Sequence, residues 1–197
     1  MALRGTSTVL LTNSHGKLWR SLDSGVSWSP PVNMFNSSKT LAGGGVMVQL
    51  SATHKTHPNR LLSVFDSAIP WHAGGCGDSP YSPGCELASS YWSDDMGATW
   101  TLSASTVPKL DESEVLELPD GRVAMLSRNS NPVCKGVDLT RCATHQDGPC
   151  MCVGLTLSSD AGETWASTTE FLPSLAGANC HGSALTVNGS TFYAMPA

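Results

Sequence analysis

Three octapeptides in this chain share one pattern: Ser21-X-Asp23-X-Gly25-X-X-Trp28, Ser93-X-Asp95-X-Gly97-X-X-Trp100 and Ser158-X-Asp160-X-Gly162-X-X-Trp165. Asp23 and Asp95 are 72 positions apart, and Asp95 and Asp160 are 65 apart. A pattern returning at such a period means one supersecondary unit per copy, with the units stacked side by side or around an axis. Within each copy the chemistry is local. Short Ser and Asp side chains bond backbone N–H groups across a turn, and Gly takes a backbone conformation that other residues avoid. Trp then covers the turn with its apolar face. Asp23, Asp95 and Asp160 are therefore read as structural rather than catalytic. Trp28, Trp100 and Trp165 are read as turn plugs, and Trp19, Trp71 and Trp92 carry no assignment.

Each copy follows a run that reads as a strand: Lys17–Arg20, Leu87–Trp92 and Cys152–Leu157. Further strands are expected at 6–12, 46–50 and 60–65. A last hairpin is expected from Leu185–Val187 and Thr191–Ala194 around Asn188-Gly189, a good turn pair. The 19 glycines and 12 prolines suit many short strands better than long helices, and no convincing amphipathic helix is found. The expected fold class is all-β.

Between the second and third octapeptides lies Asp111-Glu-Ser-Glu-Val-Leu-Glu-Leu-Pro-Asp-Gly-Arg-Val-Ala-Met-Leu-Ser-Arg128. Two short apolar runs around Asp120-Gly121 read as a β-hairpin, because Asp-Gly supplies the positive φ values of a tight turn. The hairpin would return Arg128 to Glu112. A carboxylate and a guanidinium at one rim suit a charged substrate; a surface ion pair closing the hairpin is the competing reading. Glu114 and Glu117 are the nearest rivals. Alternation sends Glu114 to the face of Glu112 and Glu117 to the other face.

The net charge of −5 argues against a nucleic-acid partner or a polybasic membrane patch. No stretch approaches the roughly 20 apolar residues of a membrane span. The N-terminal apolar run is too short for a secretory signal. The seven cysteines are Cys76, Cys85, Cys134, Cys142, Cys150, Cys152 and Cys180. Their density in loops suggests disulfides and an oxidising compartment: secreted, lysosomal or cell-surface. The competing zinc reading takes Cys134, Cys142, His145, Cys150 and Cys152 as candidate ligands, but their spacings are not those of ordinary zinc knuckles. Asn36-Ser-Ser and Asn188-Gly-Ser fit the glycosylation acceptor pattern.

The octapeptides resemble the Asp boxes of the sialidases. Further matches follow in order. Gly43–Leu50 resembles the glycine-rich strand after an Asp box, and Tyr91–Trp100 resembles the family's next box. Glu112–Arg128 matches the family's glutamate-to-arginine hairpin without a gap, and Asn179–Leu185 resembles a strand entry found in some members. The resemblance spans nearly the whole chain apart from the two cysteine loops. It implies a six-bladed β-propeller, represented here by about three to four blades within one domain, 1–197. It implies an exo-α-sialidase that releases terminal sialic acid from glycoproteins, gangliosides or oligosaccharides with retention, without metal or organic cofactor.

Carried over residue by residue, Glu112 falls on the glutamate that takes the phenol proton of a tyrosine nucleophile, the exception to two-carboxylate glycoside hydrolysis. Arg128 falls on the second arginine of the triad that grips the sialic acid carboxylate, for which planar guanidinium forks are suited. No position here matches the first or third triad arginine, the acid/base aspartate or the nucleophile. Tyr193 stands in the wrong context for the nucleophile, and Asp66 and Asp78 have no supporting motif. His181 replaces a usual glutamine. This chain alone is therefore expected not to turn over. A non-catalytic Asp-box module binding glycans or proteins, and a trans-sialidase, are the alternatives. A partial propeller is further expected to leave exposed apolar flanks and marginal stability.

Overall fold

The computed structural model describes residues 1–13, 15–34, 41–44, 47–68, 86–105, 107–108, 110–129, 151–177, 182–187 and 189–194. Trp71, Asp78, His145, His181, the sequon residues Asn36 and Asn188, and every cysteine except Cys152 lie outside them. The described residues form strands and no helix.

The first sheet runs β1 (Val9–Thr12), β2 (Lys17–Ser21), β3 (Val32–Asn33), all antiparallel. Residues 1–3 lie along β1 through an Ala2–Val9 bridge and a 2.8 Å bond from Leu10 N to Met1 O. In the second sheet, β4 (Leu41–Gly44) and β5 (Val48–Gln49) share one edge of β6 (Leu61–Ala68). Next comes β7 (Glu86–Ser93), whose far edge is shared by β8 (Thr101–Leu102) and β9 (Val107–Pro108). The third sheet is β10 (Leu110–Glu117), β11 (Val123–Asn129), β12 (Met151–Ser158) and β13 (Glu170–Gly177). A hairpin of β14 (Ser183–Val187) and β15 (Ser190–Ala194) forms the fourth. These are the up-and-down antiparallel sheets of a β-propeller, three with four strand positions and one with two.

Each octapeptide joins the third strand position of its blade to the fourth. Its serine ends the inner strand, and its serine and aspartate fold the turn. Ser93 Oγ accepts from Gly97 N at 2.8 Å and donates to Asp95 Oδ1 at 2.8 Å. Asp95 also accepts from Thr99 N at 2.9 Å and Thr99 Oγ1 at 2.6 Å. The same bonds recur around Asp23 and Asp160. Two successive residues take positive φ in every copy. Gly25, Gly97 and Gly162 stand at 93°, 80° and 85°, and the residues before them, Ser24, Met96 and Ala161, at 61°, 56° and 57°. The second set is unfavourable for a side chain, and the aspartate's ring of bonds holds it in place.

The blades pack face to face with period-two alternation. From β6, Leu62 and Val64 join one core with Val115, Val123, Met125 and Trp165 of the third blade. Leu61 and Phe65 point the other way, into a core with Leu3, Leu10 and Leu18 of the first. Leu116, Ala124 and Leu126 pack towards Ala184 and Tyr193 of the last hairpin. The second and third blades are therefore apolar on both faces.

The three tryptophans do not share one fate. Trp165 is 6% exposed and crosses the blade boundary, its Nε1 donating to Ser90 Oγ at 2.8 Å. Trp100 packs partly buried against the core of the first two blades. Trp28 donates to Gly25 O at 3.1 Å but is 41% exposed, so the plug reading is corrected there. Among the described residues no neighbouring blade stands against the first octapeptide. The outer strands β3, β8, β9 and β13 were not expected from the sequence. They are short or, in β13, carry Pro173 where the register with β12 shifts, which a sheet edge tolerates. The segment 6–12 pairs only from Val9, because residues 4–7 form the turn from residues 1–3.

Candidate functional site

The Glu112–Arg128 hairpin is present, with Glu117 opposite Val123 and Ser113 opposite Ser127. Its turn differs from the expected Asp-Gly type. Gly121 N donates to Leu118 O at 2.9 Å and Leu118 N donates to Arg122 O at 2.8 Å. Gly121 has φ of 87°, while Asp120 is not left-handed. This is a type I turn closed by a left-handed glycine; Pro119 sets the negative φ that its first position needs.

At the open end a bulge intervenes. Leu110 pairs with Asn129 and Ser113 with Ser127, so Asp111 and Glu112 together face Arg128. An extra residue of this kind re-aims a side chain. Arg128 Nη1 donates to Glu112 Oε2 at 3.2 Å. The side chains are 24% and 28% exposed respectively, so the pair is half-buried and open to solute. One pair further in, Ser113 Oγ donates to Ser127 Oγ at 2.7 Å, both buried.

The rivals separate as alternation predicts. Glu114 lies opposite Leu126, on the face that carries Arg128, and is buried at 3% exposure. Its charge, after the larger effect of burial, pushes the half-buried Tyr193 phenol above its ordinary value. Glu117 faces the other way and accepts from Ser51 N and Oγ at 2.5 and 2.7 Å, tying the third blade to the second. Asp66 is buried in β6.

A cavity of about 840 Å³ opens at the other end of the hairpin, lined by Glu117–Gly121, Gln49, His54, Ala184 and Met1 among others. Glu112 and Arg128 are not in its lining. Five residues of extended strand, at ~3.4 Å each, separate Glu112 from Glu117.

Cys152 is disulfide-bonded and 2% exposed, which removes it from the zinc reading. Among the described residues no group of His, Cys, Asp and Glu side chains is arranged to hold a metal ion, and no helix is long and apolar enough to cross a membrane.

Sequence reasoning missed a second charged cluster, at the octapeptide end of the blades. Arg60, 1% exposed, donates through Nε and Nη2 to both oxygens of Asp94 at 2.7 Å. Its Nη1 donates to Glu163 Oε1 at 2.9 Å, and its guanidinium lies 4.2 Å above the Trp92 ring. The available signal was an arginine opening a strand together with acids at variable octapeptide positions, Asp94 and Glu163.

No known family profile matches the chain, and no curated protein matches it. Solved structures do. A protein of unknown function from Dyadobacter fermentans matches with TM-score 0.54 at 18% identity, over 95% of this chain and 47% of that one. A mutant of the NanB sialidase of Streptococcus pneumoniae matches with TM-score 0.54 at 18% identity, over 89% of this chain and 22% of that one. The Hadza microbial sialidase Hz136 matches with TM-score 0.53 at 18% identity, over 90% of this chain and 30% of that one. The chain thus spans half or less of the structures it is similar to, and its fold is that of the sialidase β-propellers.

Proposed function

We propose that this chain is the part of an exo-α-sialidase propeller that carries the enzyme's catalytic glutamate, Glu112, and one carboxylate-binding arginine, Arg128. The three octapeptides are then Asp boxes, and residues 1–197 belong to one propeller domain acting on sialic acid-capped glycans. The observation that carries this reading is the bulge that aims Glu112 at Arg128, 3.2 Å away, at one open end of a sialidase-type blade.

The chemistry follows from the pair. Sialic acid brings its own carboxylate beside the anomeric carbon, so a carboxylate nucleophile would meet charge repulsion there. A phenol does not. In the tyrosine route, Glu112 takes the proton of a tyrosine hydroxyl as that oxygen bonds the anomeric carbon and the glycosidic C–O bond breaks, the aglycone leaving with a proton from an acid. Water then displaces the tyrosine, with Glu112 returning its proton, which gives retention. The tyrosine and the acid would come from other blades of the propeller. The Arg128 fork exchanges Glu112 for the substrate carboxylate, which frees Glu112 to act as base. No metal or cofactor enters this scheme.

The test uses a form of the protein that spans a whole propeller, assayed on a fluorogenic sialoside. Arg128→Ala and Glu112→Gln are expected to cost orders of magnitude in rate, and normal turnover by Arg128→Ala would refute the assignment. The second reading, a propeller that binds glycans or proteins without cleaving them, needs only the half-buried Arg128 fork as a grip for a carboxylate. Sialoside binding without product by the whole-propeller form would select it.

A further inference from the structure

The cavity at the turn end of the Glu112–Arg128 hairpin is walled by all four sheets. Arg4 comes from the turn before β1, Gln49 and Lys55 from the end of β5 and the loop after it, Asp120 from the turn after β10, and Leu185 from β14. Its volume of about 840 Å³ lies within the roughly 300–1,000 Å³ of small-molecule sites. Met47, Leu118 and Leu185 give it an apolar wall. Its polar groups fall into two sets, according to what each still has to offer a ligand.

The acceptors are already engaged. Glu117 takes one bond on each carboxylate oxygen, from Ser51 N and Ser51 Oγ. Asp120 accepts from Arg122 N at 3.0 Å and from Arg122 Nε at 2.8 Å. Both His54 nitrogens are used, one with Gly121 O at 2.9 Å and one with His57 N at 3.1 Å. The donors are not exhausted. Arg4 N donates to Gln49 Oε1 at 2.7 Å, and Arg4 Nη2 donates to Gln49 O and, at 2.8 Å, to Leu50 O. These bonds fix the guanidinium and leave its charge unanswered. Among the described residues no hydrogen bond engages Arg4 Nε, Arg4 Nη1, Gln49 Nε2 or Lys55 Nζ, and neither cation is in an ion pair.

We propose that this cavity is a second ligand site, for an organic carboxylate with an apolar body, gripped by Arg4 and Lys55. The guanidinium fork matches a planar carboxylate, Lys55 adds a point charge, and the Gln49 amide supplies a further donor. The body of the ligand packs on Met47, Leu118 and Leu185. Glu117 and Asp120 also line the cavity, so its walls hold two acids against two cations. That balance suits one carboxylate and disfavours a polyanion. Glu112 and Arg128 are absent from the lining, and the site stands whether or not that pair catalyses anything.

The test is calorimetric titration of the 197-residue chain at low salt with 2-naphthoate, and with 2-naphthamide as its uncharged match. Naphthoate should bind with Kd below about 1 mM, and naphthamide about tenfold more weakly, as the loss of charge-assisted hydrogen bonds requires. Lys55→Glu, a change on an exposed loop position, should weaken naphthoate by about tenfold and leave naphthamide unmoved. Arg4→Ala should do the same. Arg128→Ala should leave naphthoate binding as it was, which separates this cavity from the Glu112–Arg128 site. Equal affinity for acid and amide, an ineffective Lys55→Glu, or loss of naphthoate binding in Arg128→Ala each overturn the proposal. So does the absence of naphthoate binding up to about 10 mM. Should Arg4→Ala fail to fold, Lys55→Glu and Arg128→Ala suffice to decide.

Discussion

Gly162 and Leu62 meet so closely across the boundary of the second and third blades that a Cβ on Gly162 would lie 2.6 Å from Leu62 Cδ2. Gly121 has nearly the same backbone, φ 87° against 85°, yet its Cβ would meet nothing within 4 Å. The two glycines separate conformational cost from steric cost. Gly121→Ala should cost about 1 kcal/mol, the penalty of a left-handed L-residue. Gly162→Ala carries the same penalty plus the displacement of a fully buried leucine, for a total of roughly 2–4 kcal/mol. Equal denaturation midpoints for the two variants would contradict this account of the interface.

Removing Arg60 should be among the most damaging single changes. It would leave Asp94 without its bidentate partner and Trp92 without its stacked cation. The acids left behind, Asp94 and Glu163, are 47% and 41% exposed and can rehydrate, so Arg60→Ala is expected to cost about 1–3 kcal/mol through its lost charged hydrogen bonds and its lost packing on Trp92, and to lower the urea midpoint accordingly. Arg60→Lys keeps the charge but loses the planar fork, and should recover only part of the loss.

The octapeptide aspartates predict acid sensitivity. At Asp95 burial pushes the carboxyl up, but bonds from Thr99 Oγ1, Thr99 N and Ser93 outweigh it and bring the value down to about 2. At Asp23 the Ser27 hydroxyl leads the same effect, again to about 2. The folded value is depressed, so this stabilisation is complete above the ordinary carboxylate value of 3.8 and lost as pH falls towards about 2. Stability measured by urea titration should decline through that window. Asp95→Asn should start lower and decline less, and an unchanged slope would show that these bonds do not discriminate the ionised form.

Glu112→Gln and Arg128→Ala should separate function from stability. In a form spanning the propeller, each is expected to lower kcat/KM by about 10²–10⁴-fold. The unfolding midpoint should barely move, because a half-exposed ion pair contributes only ~0–1 kcal/mol. Large destabilisation with proportionate loss of activity would favour the plain structural reading of the pair.

The expected apolar flank is visible on the last hairpin, where Leu185 and Phe192 are each 62% exposed and Val187 is 43% exposed. Replacing Leu185 and Phe192 with lysine should reduce self-association measured by light scattering, since β15 pairs only with β14 among the described residues.

The most legible features were those whose causes lie within a few residues. Each octapeptide closes its turn with its own serine, aspartate and glycine, and so reads identically three times. The hairpin from Glu112 to Arg128 was legible for the same reason, and period-two alternation placed Glu114 and Glu117 on their proper faces. Other features depend on contacts that no local pattern records. The bulge that turns Glu112 towards Arg128 is a register choice between strands, and the turn type was misread because Pro119 outweighed the Asp-Gly pair. Trp28 and Trp165 occupy identical positions in identical motifs, yet one is exposed and the other buried. Arg60 finds Glu163 across 103 positions. Sequence by itself determined the octapeptide turns, the strands that lead into them and the all-β class, because short-range hydrogen bonding and side-chain alternation act within a segment. Only the tertiary structure decided which face meets which neighbour, because burial and charge pairing between blades depend on how the segments pack.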